Sequence, residues 1–395
     1  MDSRRREAVY LTAAFAVRLV TGGVGVALVL LAARELHSVA LGGALLACLM
    51  APSVLAAPVV GAVLDAARSP RLVMLVAGMV LAAGLVVAAS AAFVPLAAVV
   101  VALLVAGCAF PVFIGGLSAF AGEVMPRDVA RATSVDALSY NVAGIGGPAI
   151  VAGMTVLLGP PGALLALAAV MVAGSLLLQL LPIEGRGGSF RPAALARGIA
   201  SASRHLVTHG PIARVAAGGA VVMIGAGALP VVAVLVAVSR GQAESAGGVL
   251  LTAFSVGGVA GALLVALPAT TRFLGRFPAR RLMAVCFATT GVATAVAGVL
   301  PGFLGAAVAL AIAGLPDAPA VAAMFRARTE ETPQAVRAQI FVVASGFRVA
   351  AGALGAALAG ALAGLPPSVL LLLIGVMWVA SAPILLAGAR RPTPS

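Results

Sequence analysis

The chain has 395 residues, of which 62% are apolar and 9% charged, with a mean hydropathy of +1.17 and a formal net charge of +13. So little polar surface excludes a soluble globule, and long non-alternating Ala/Leu/Val/Gly runs exclude a membrane barrel, whose strands alternate over about ten residues. Every basic residue is an arginine, which with the Ala, Gly and Pro richness reads as a coding bias, so no nucleic-acid partner is expected.

In chain order the hydrophobic pattern predicts twelve spans. Six lie at 8–31, 40–64, 71–92, 95–120, 133–158 and 161–182, and six at 212–238, 246–268, 281–300, 303–325, 338–363 and 367–388. The expected fold class is thus an all-α polytopic membrane protein. Alternate connections such as Gly159-Pro160-Pro161-Gly162 and Leu365-Pro366-Pro367 are short and uncharged. The first apolar run is too long for a cleavable signal and leads straight into further spans.

Charge fixes the expected orientation. Arg4 to Arg6, the 68–71, 127–131, 186–214, 272–281 and 326–337 segments, and Arg390 and Arg391 together hold 21 of the 25 arginines. Of the loops on the other side, only those with Arg34 and Arg240 carry any. The positive-inside rule then puts both termini and the 183–211 segment in the cytoplasm, with the protein crossing the cytoplasmic (plasma) membrane many times.

The chain also repeats itself. Leu41-Gly42-Gly43-Ala44-Leu45-Leu46 opens the second span and Ala246-Gly247-Gly248-Val249-Leu250-Leu251 the eighth, 205 residues on; Pro126 to Thr133 matches Pro333 to Gln339 at almost the same period. This predicts a duplicated six-helix unit: an N-terminal bundle over 1–182, a basic cytoplasmic linker over 183–211 and a C-terminal bundle over 212–395, the halves parallel about an axis along the membrane normal. The linker is expected to be a solvated tether, with Leu195 to Leu206 amphipathic enough to lie on an anionic inner leaflet. His205 and His209 stand four apart there, without the acid or cysteine companions a metal site needs. Cys48, Cys108 and Cys286 each sit alone in an apolar run, so neither disulfide nor metal is indicated.

Two further stretches carry motifs. Gly61-Ala-Val-Leu-Asp65-Ala-Ala-Arg68-Ser-Pro-Arg71 is a short charged hairpin between the second and third spans; Asn141 to Gly153, NVAGIGGPAIVAG, concentrates Gly147, Pro148 and Gly153 in the fifth. The first resembles the signature loop of the major facilitator superfamily, with Ser69-Pro70 in place of the usual turn glycine, and the second resembles the fifth-helix Gly-Pro motif of its antiporters, with Met154 in place of a second glycine. Arg18-Leu-Val-Thr21-Gly22-Gly23 is similar to the opening of the first helix in facilitator exporters. The resemblance covers nearly the whole chain. It implies that Gly61, Asp65, Arg68 and Arg71 latch a cytoplasmic gate; Gly147, Pro148 and Gly153 are the expected hinge motif, with Gly144, Gly146, Gly147 and Pro148 giving a bendable surface on which the halves slide. Physically, Gly61 would let two helices approach closely and Asp65 would cap the next helix or meet a facing helix N-terminus, while Pro148 removes a backbone hydrogen bond.

Ionisable groups inside spans are costly and count as site candidates. Arg18 and Arg348 lie deep in the first and eleventh spans, Asp317 about two turns from the inner end of the tenth between Pro316 and Pro319, and Asp136 about one turn into the fifth. The resemblance implies that the first and tenth helices line a central cavity, which puts Arg18 and Asp317 there. Asp317 is the expected proton carrier and Asp136 the second choice; Arg18 and Arg348 would bind an anionic part of the substrate or hold Asp136 ionised in a static pair. Thr21, Tyr140, Asn141 and Ser345 are the expected hydrogen-bonding neighbours.

The spans otherwise offer mainly Ala, Val, Leu and Gly, and few aromatics, which suits an amphipathic or hydrophobic small-molecule substrate better than a sugar or amino acid. The leading expectation is proton-coupled efflux. An organic-anion importer or exchanger clamping its substrate with Arg18 and Arg348, and a transport-inactive relative used as a sensor, are the alternatives. His37, His205 and His209 fall in loops with no clustered nucleophile or base, so no enzyme is expected, and without lysine there is no nucleotide-binding loop. No cofactor and no metal are expected, the partners are the substrate, protons and the lipid bilayer, and a monomer suffices for this architecture.

Overall fold

The computed structural model describes residues 3–124, 129–185, 192–208, 210–331 and 337–387, and among these there is helix and no strand. In the first half of the chain the helices are α1 (Ser3–Glu35), α2 (Val39–Ala66), α3 (Pro70–Ala89), α4 (Leu96–Pro111), the one-turn α5 (Ala121–Val124) and α6 (Val129–Leu177). Then follow α7 (Pro192–Thr208), α8 (Gly210–Ser239), α9 (Ala246–Ala266), α10 (Pro268–Gly275), α11 (Ala279–Val299), α12 (Gly302–Gly314), α13 (Asp317–Glu331), α14 (Arg337–Ala361) and α15 (Pro367–Leu386). Ten helical stretches among the described residues are long and apolar enough to cross a membrane, and Gly346–Ala361 in α14 is a shorter apolar one.

Boundaries follow from local chemistry. Ser38 caps α2, its hydroxyl accepting the Leu41 N–H at 3.2 Å, and prolines open α3, α10 and α15 where a missing N–H costs nothing. The 49 residues of α6 are divided at Gly159, whose φ of 73° and ψ of 169° only glycine adopts easily; Pro160 and Pro161 then start the second stretch. Pro111 interrupts the fourth expected span: α4 passes into a π-helical turn at Val112–Gly116 and a 3₁₀ turn at Leu117–Phe120. The expected tenth span is likewise not one helix. Neither Pro316 nor Pro319 can donate to the ladder, so α12 gives way to α13 with Asp317 in its first turn.

Within the first half α1 packs on α6 and α2, and α3 on α4 and α6; within the second, α11 packs on α15 and α12, α8 on α14 and α15, and α9 on α12. Trp378, 2% exposed, anchors the second half by donating its indole N–H to the Val222 carbonyl at 2.7 Å. Gly225 makes that possible, because a Cβ there would come within 2.9 Å of the indole ring. The linker is more than a tether: α7 carries the amphipathic stretch, His205 lies in this helix rather than in a loop, and α7 packs on α14, α8 and α2, with Ile199 against Ile212, Val343 and Ala344. His209, the side chain of His205, and residues 125–128 and 332–336, which include part of the second repeat match, lie outside the described residues.

The halves meet along α2 with α14 and α6 with α9, and here the repeated Gly-Gly pairs show their purpose. The first glycine of each pair faces its own half: a Cβ on Gly42 would lie 2.8 Å from Val29 Cα, and one on Gly247 2.7 Å from Val234 Cα. The second faces the other half. A Cβ on Gly43 would overlap the Ala356 carbonyl and come within 3.0 Å of Gly360 Cα, and one on Gly248 would lie 2.7 Å from Ala152 Cβ and 3.1 Å from the Pro148 oxygen. Both pairs sit in the first turns of α2 and α9. Since α1 and α2 run antiparallel, the seam at Gly43 closes the end of the molecule opposite the amino terminus.

Candidate transport site and gating elements

At the other end of α2 the halves are not so tightly joined. A cavity of about 420 Å³ runs from Ser53, in the middle of α2, to Asp65 at its end on the amino-terminal side. Its walls are α2, the π-turn with the residues around it, and Gly346 and Val349 of α14, so both halves contribute. Besides Ser53 and Asp65 the lining is apolar. Gly61 borders this space with nothing within 4 Å of where a Cβ would be, so in this conformation it makes no close helix contact, contrary to the sequence expectation. Asp65 is exposed there, and α3 has Ser69 rather than Asp65 as its N-cap residue.

The rest of the charged hairpin is tied to its own half. Arg71 donates to the Gln179 and Leu181 carbonyls at 3.2 and 3.3 Å, and the Gln179 side-chain amide donates back to the Arg71 carbonyl at 2.9 Å. Gly185, at the start of the linker, lies so close to the 67–68 turn that a Cβ would approach the Arg68 carbonyl carbon to 2.7 Å. Arg68 itself is exposed. In the fifth-helix motif, a Cβ on Gly147 would lie 2.8 Å from the Gly23 nitrogen of α1, Pro148 turns its carbonyl to Gly248 across the seam, and a Cβ on Gly153 would meet nothing within 4 Å. α6 stays helical through Pro148 and breaks only at Gly159.

The candidate ionisable residues form two groups. In the first half Arg18, 1% exposed, pairs with Asp136: Nη2 meets Oδ1 at 2.7 Å and Nη1 donates to the Asp136 carbonyl at 2.8 Å. Arg18 also donates to Ser118 at 2.8 Å and to Ser139, and Tyr10 donates its phenol to Asp136 at 2.5 Å. Asp136 is reached because it lies about two turns into α6, beside the α1 turn that carries Arg18. Both sit inside the first-half packing and not on an open wall, which differs from the cavity placement the resemblance implied for Arg18: the rotation of α1 turns this side chain towards α6. Thr21 spends its hydroxyl on the Arg18 carbonyl at 3.0 Å. The side chains of Tyr140, Asn141 and Ser345 lie outside the described residues.

In the second half Asp317 is exposed to water in the first turn of α13. Its charge interacts with that of Arg348 without an ion pair within 4 Å. Arg348 is half-buried on α14, with Nη2 3.5 Å from the Met223 sulfur of α8. Two neighbours were not anticipated from sequence. Cys286 of α11 interacts with Asp317, and Arg328 of α13, only 2% exposed, interacts with Arg348. Arg328 was counted as a loop charge, but α13 runs on to Glu331 and draws it inside. Among the described residues no group of three His, Cys, Asp or Glu could hold a metal ion.

The sequence model of the Major Facilitator Superfamily matches residues 10–231. The chain belongs to this family. It is therefore a multi-pass integral membrane protein of a transporter family and not an enzyme. Solved facilitator structures share the fold: a mutant of the peptide transporter POT in complex with sulfate has a TM-score of 0.80 at 14% identity, covering 98% of each chain. A mutant of the nucleoside transporter NupG has 0.77 at 15% identity, covering 98% of this chain and 100% of its own. A POT family transporter in complex with 5-aminolevulinic acid has 0.75 at 12% identity, covering 97% and 95%. No curated protein matches the sequence. At these identities the likeness establishes the facilitator fold and leaves the substrate to be argued from the residues.

Proposed function

We propose that this facilitator moves a small amphipathic or hydrophobic solute by alternating access, as proton-coupled efflux across the cytoplasmic membrane. The reading takes the chain as twelve spans in two six-helix bundles, 1–182 and 212–395, joined by the 183–211 linker with both termini cytoplasmic. Splitting α6 at Gly159, and joining α12 to α13, supports it. The observation that carries the reading is the apolar cavity built by both halves on the amino-terminal side, opposite a glycine seam that is shut. Such a state is open inwards. Its walls offer few hydrogen-bonding groups, which favours an apolar body over a polyol or a dipeptide. The gating role belongs to the 61–71 hairpin, with Asp65 at the cavity and Arg71 bracing α3 against the end of α6, and the sliding surface to Gly147 and Pro148.

Asp317 is the proposed proton carrier, because it is the acid that is deep, water-accessible and not hydrogen-bonded into a fixed pair. Asp136, held by Arg18 and Tyr10, is assigned instead to fixing α1 on α6. That pairing occupies Arg18, so a two-arginine clamp on an organic anion is disfavoured. The deciding experiment is substrate-induced proton movement in proteoliposomes with a trapped pH dye, comparing wild type with Asp317→Asn. Proton flux driven by a lipophilic compound and lost in the variant supports the reading; flux that persists unchanged in the variant removes Asp317 from coupling.

A further inference from the structure

The geometry points to an anion-binding site at Arg348, between α8, α13 and α14, that takes the carboxylate, sulfonate or phosphate head of an amphipathic solute. The inference rests on the transport reading above and narrows its substrate class. Arg348 stands eleven residues into α14, roughly 16 Å along the helix from Arg337. A guanidinium keeps its charge at any physiological pH, so at this depth the charge has to be met by something. What meets it in the described residues is inadequate. Nη2 faces a thioether, a weak acceptor without charge, and Nε is buried with no hydrogen-bond partner.

The neighbouring charges do not close the account. Asp317 lies within electrostatic range but beyond ion-pair distance, in the first turn of α13, where the exposed N–H groups of the helix start favour its carboxylate. Arg328 adds a second positive charge nearby, and Cys286 is a thiol. Nε and Nη2 form one edge of the guanidinium, the edge that accepts two oxygens of a carboxylate, sulfonate or phosphate in a paired bond. Among the described residues that edge meets only the Met223 sulfur, a soft group able to give way. Arg18, by contrast, has both terminal nitrogens committed to Asp136 and the two serines.

Room for the apolar part of such a solute is close by. Val349, one residue on, and Gly346, two residues back, line the 420 Å³ cavity. With its acidic head at Arg348, such a solute would place its alkyl or aryl body in this cavity, which Arg348 adjoins along α14 without lining it.

The test uses the full chain in nanodiscs of zwitterionic lipid, where no anionic lipid competes, and two probes of equal chain length, decanesulfonate and decyltrimethylammonium. Binding is measured by calorimetry for wild type, Arg348→Gln, Arg348→Lys and Asp317→Asn, with a melting curve for each. Wild type is expected to bind the sulfonate at least tenfold more tightly than the ammonium. Arg348→Gln should lose at least tenfold for the sulfonate alone, Arg348→Lys should recover only part of it, and Asp317→Asn should tighten it severalfold by removing the competing carboxylate. A preference for the ammonium, or sulfonate affinity indifferent to Arg348→Gln, overturns the site. If Arg348→Gln does not fold, a sulfonate affinity that falls in Asp317→Asn overturns it equally. Failure of the transport reading looks different: the sulfonate binds at Arg348, but neither probe moves across proteoliposomes.

Discussion

Replacing Gly43 by alanine is a small change aimed at one conformation. The new Cβ would overlap the Ala356 carbonyl and stand 3.0 Å from Gly360 Cα, whereas unstrained carbon contacts lie at about 3.5–4.0 Å. α2 and α14 must then part by roughly 0.5–1 Å at this end, or the seam must open. Overpacking of this kind costs about 1–3 kcal/mol, and it falls only on the state in which the two helices touch. The balance between closed and open seam should shift towards open by roughly five- to hundred-and-fifty-fold. Spin labels at Arg34→Cys and Gly364→Cys, in a background lacking Cys48, Cys108 and Cys286, report the distance across this end. Wild type should give a short population that Gly43→Ala depletes in favour of a longer one. Gly61→Ala, at the other end of α2 where nothing lies within 4 Å, is the control and should leave the distribution unchanged. An unchanged distribution in Gly43→Ala, or an equal shift from Gly61→Ala, refutes the argument that close approach at this glycine shuts the seam.

Breaking the Arg18–Asp136 pair from one side should be worse than removing it whole: Arg18→Met strands a buried carboxylate and should cost about 3–5 kcal/mol, while the Arg18→Met/Asp136→Asn double variant regains much of it, read as melting temperature in detergent. Trp378→Phe should cost about 1 kcal/mol from the lost bond to Val222 and Trp378→Ala about 3–5 kcal/mol from the lost packing, measured by denaturant unfolding. Arg71→Ala removes the guanidinium that Gln179 and Leu181 accept from, leaving Leu181 its bond from the Ile183 N–H, and should lower stability by about 1–3 kcal/mol; Arg68→Ala, exposed, should change the same melting curve by less than about 0.5 kcal/mol.

Much of this arrangement is written in periodicity and small residues. The apolar runs gave most helices to within a few residues, and the twice-occurring Gly-Gly pair pointed to equivalent contacts that Val29 and Val234 now display. What periodicity could not supply was rotation about a helix axis. Arg18 was recognisable as too deep to be idle, but whether it faced a cavity or α6 depends on an angle of about 100° per residue that an all-apolar helix leaves open. Arg328 was hidden for a different reason: its neighbours Glu330 and Glu331 look like a loop, and only the extension of α13 brings it inside. The π-turn after Pro111 was also silent, since a proline in an apolar run announces a disturbance without saying which kind.

Among the described residues, the atoms closest to Gly43 and Gly248 across the seam are backbone atoms of Ala356, Gly360 and Pro148 and the Ala152 methyl, none of them charged. These contacts give salt nothing to screen and hold no group to titrate. Their strength should therefore be indifferent to ionic strength and to pH, and any response of the whole molecule to a proton gradient has to be delivered to this joint mechanically, through the tilt of α2 and α14, from ionisable groups elsewhere in the fold.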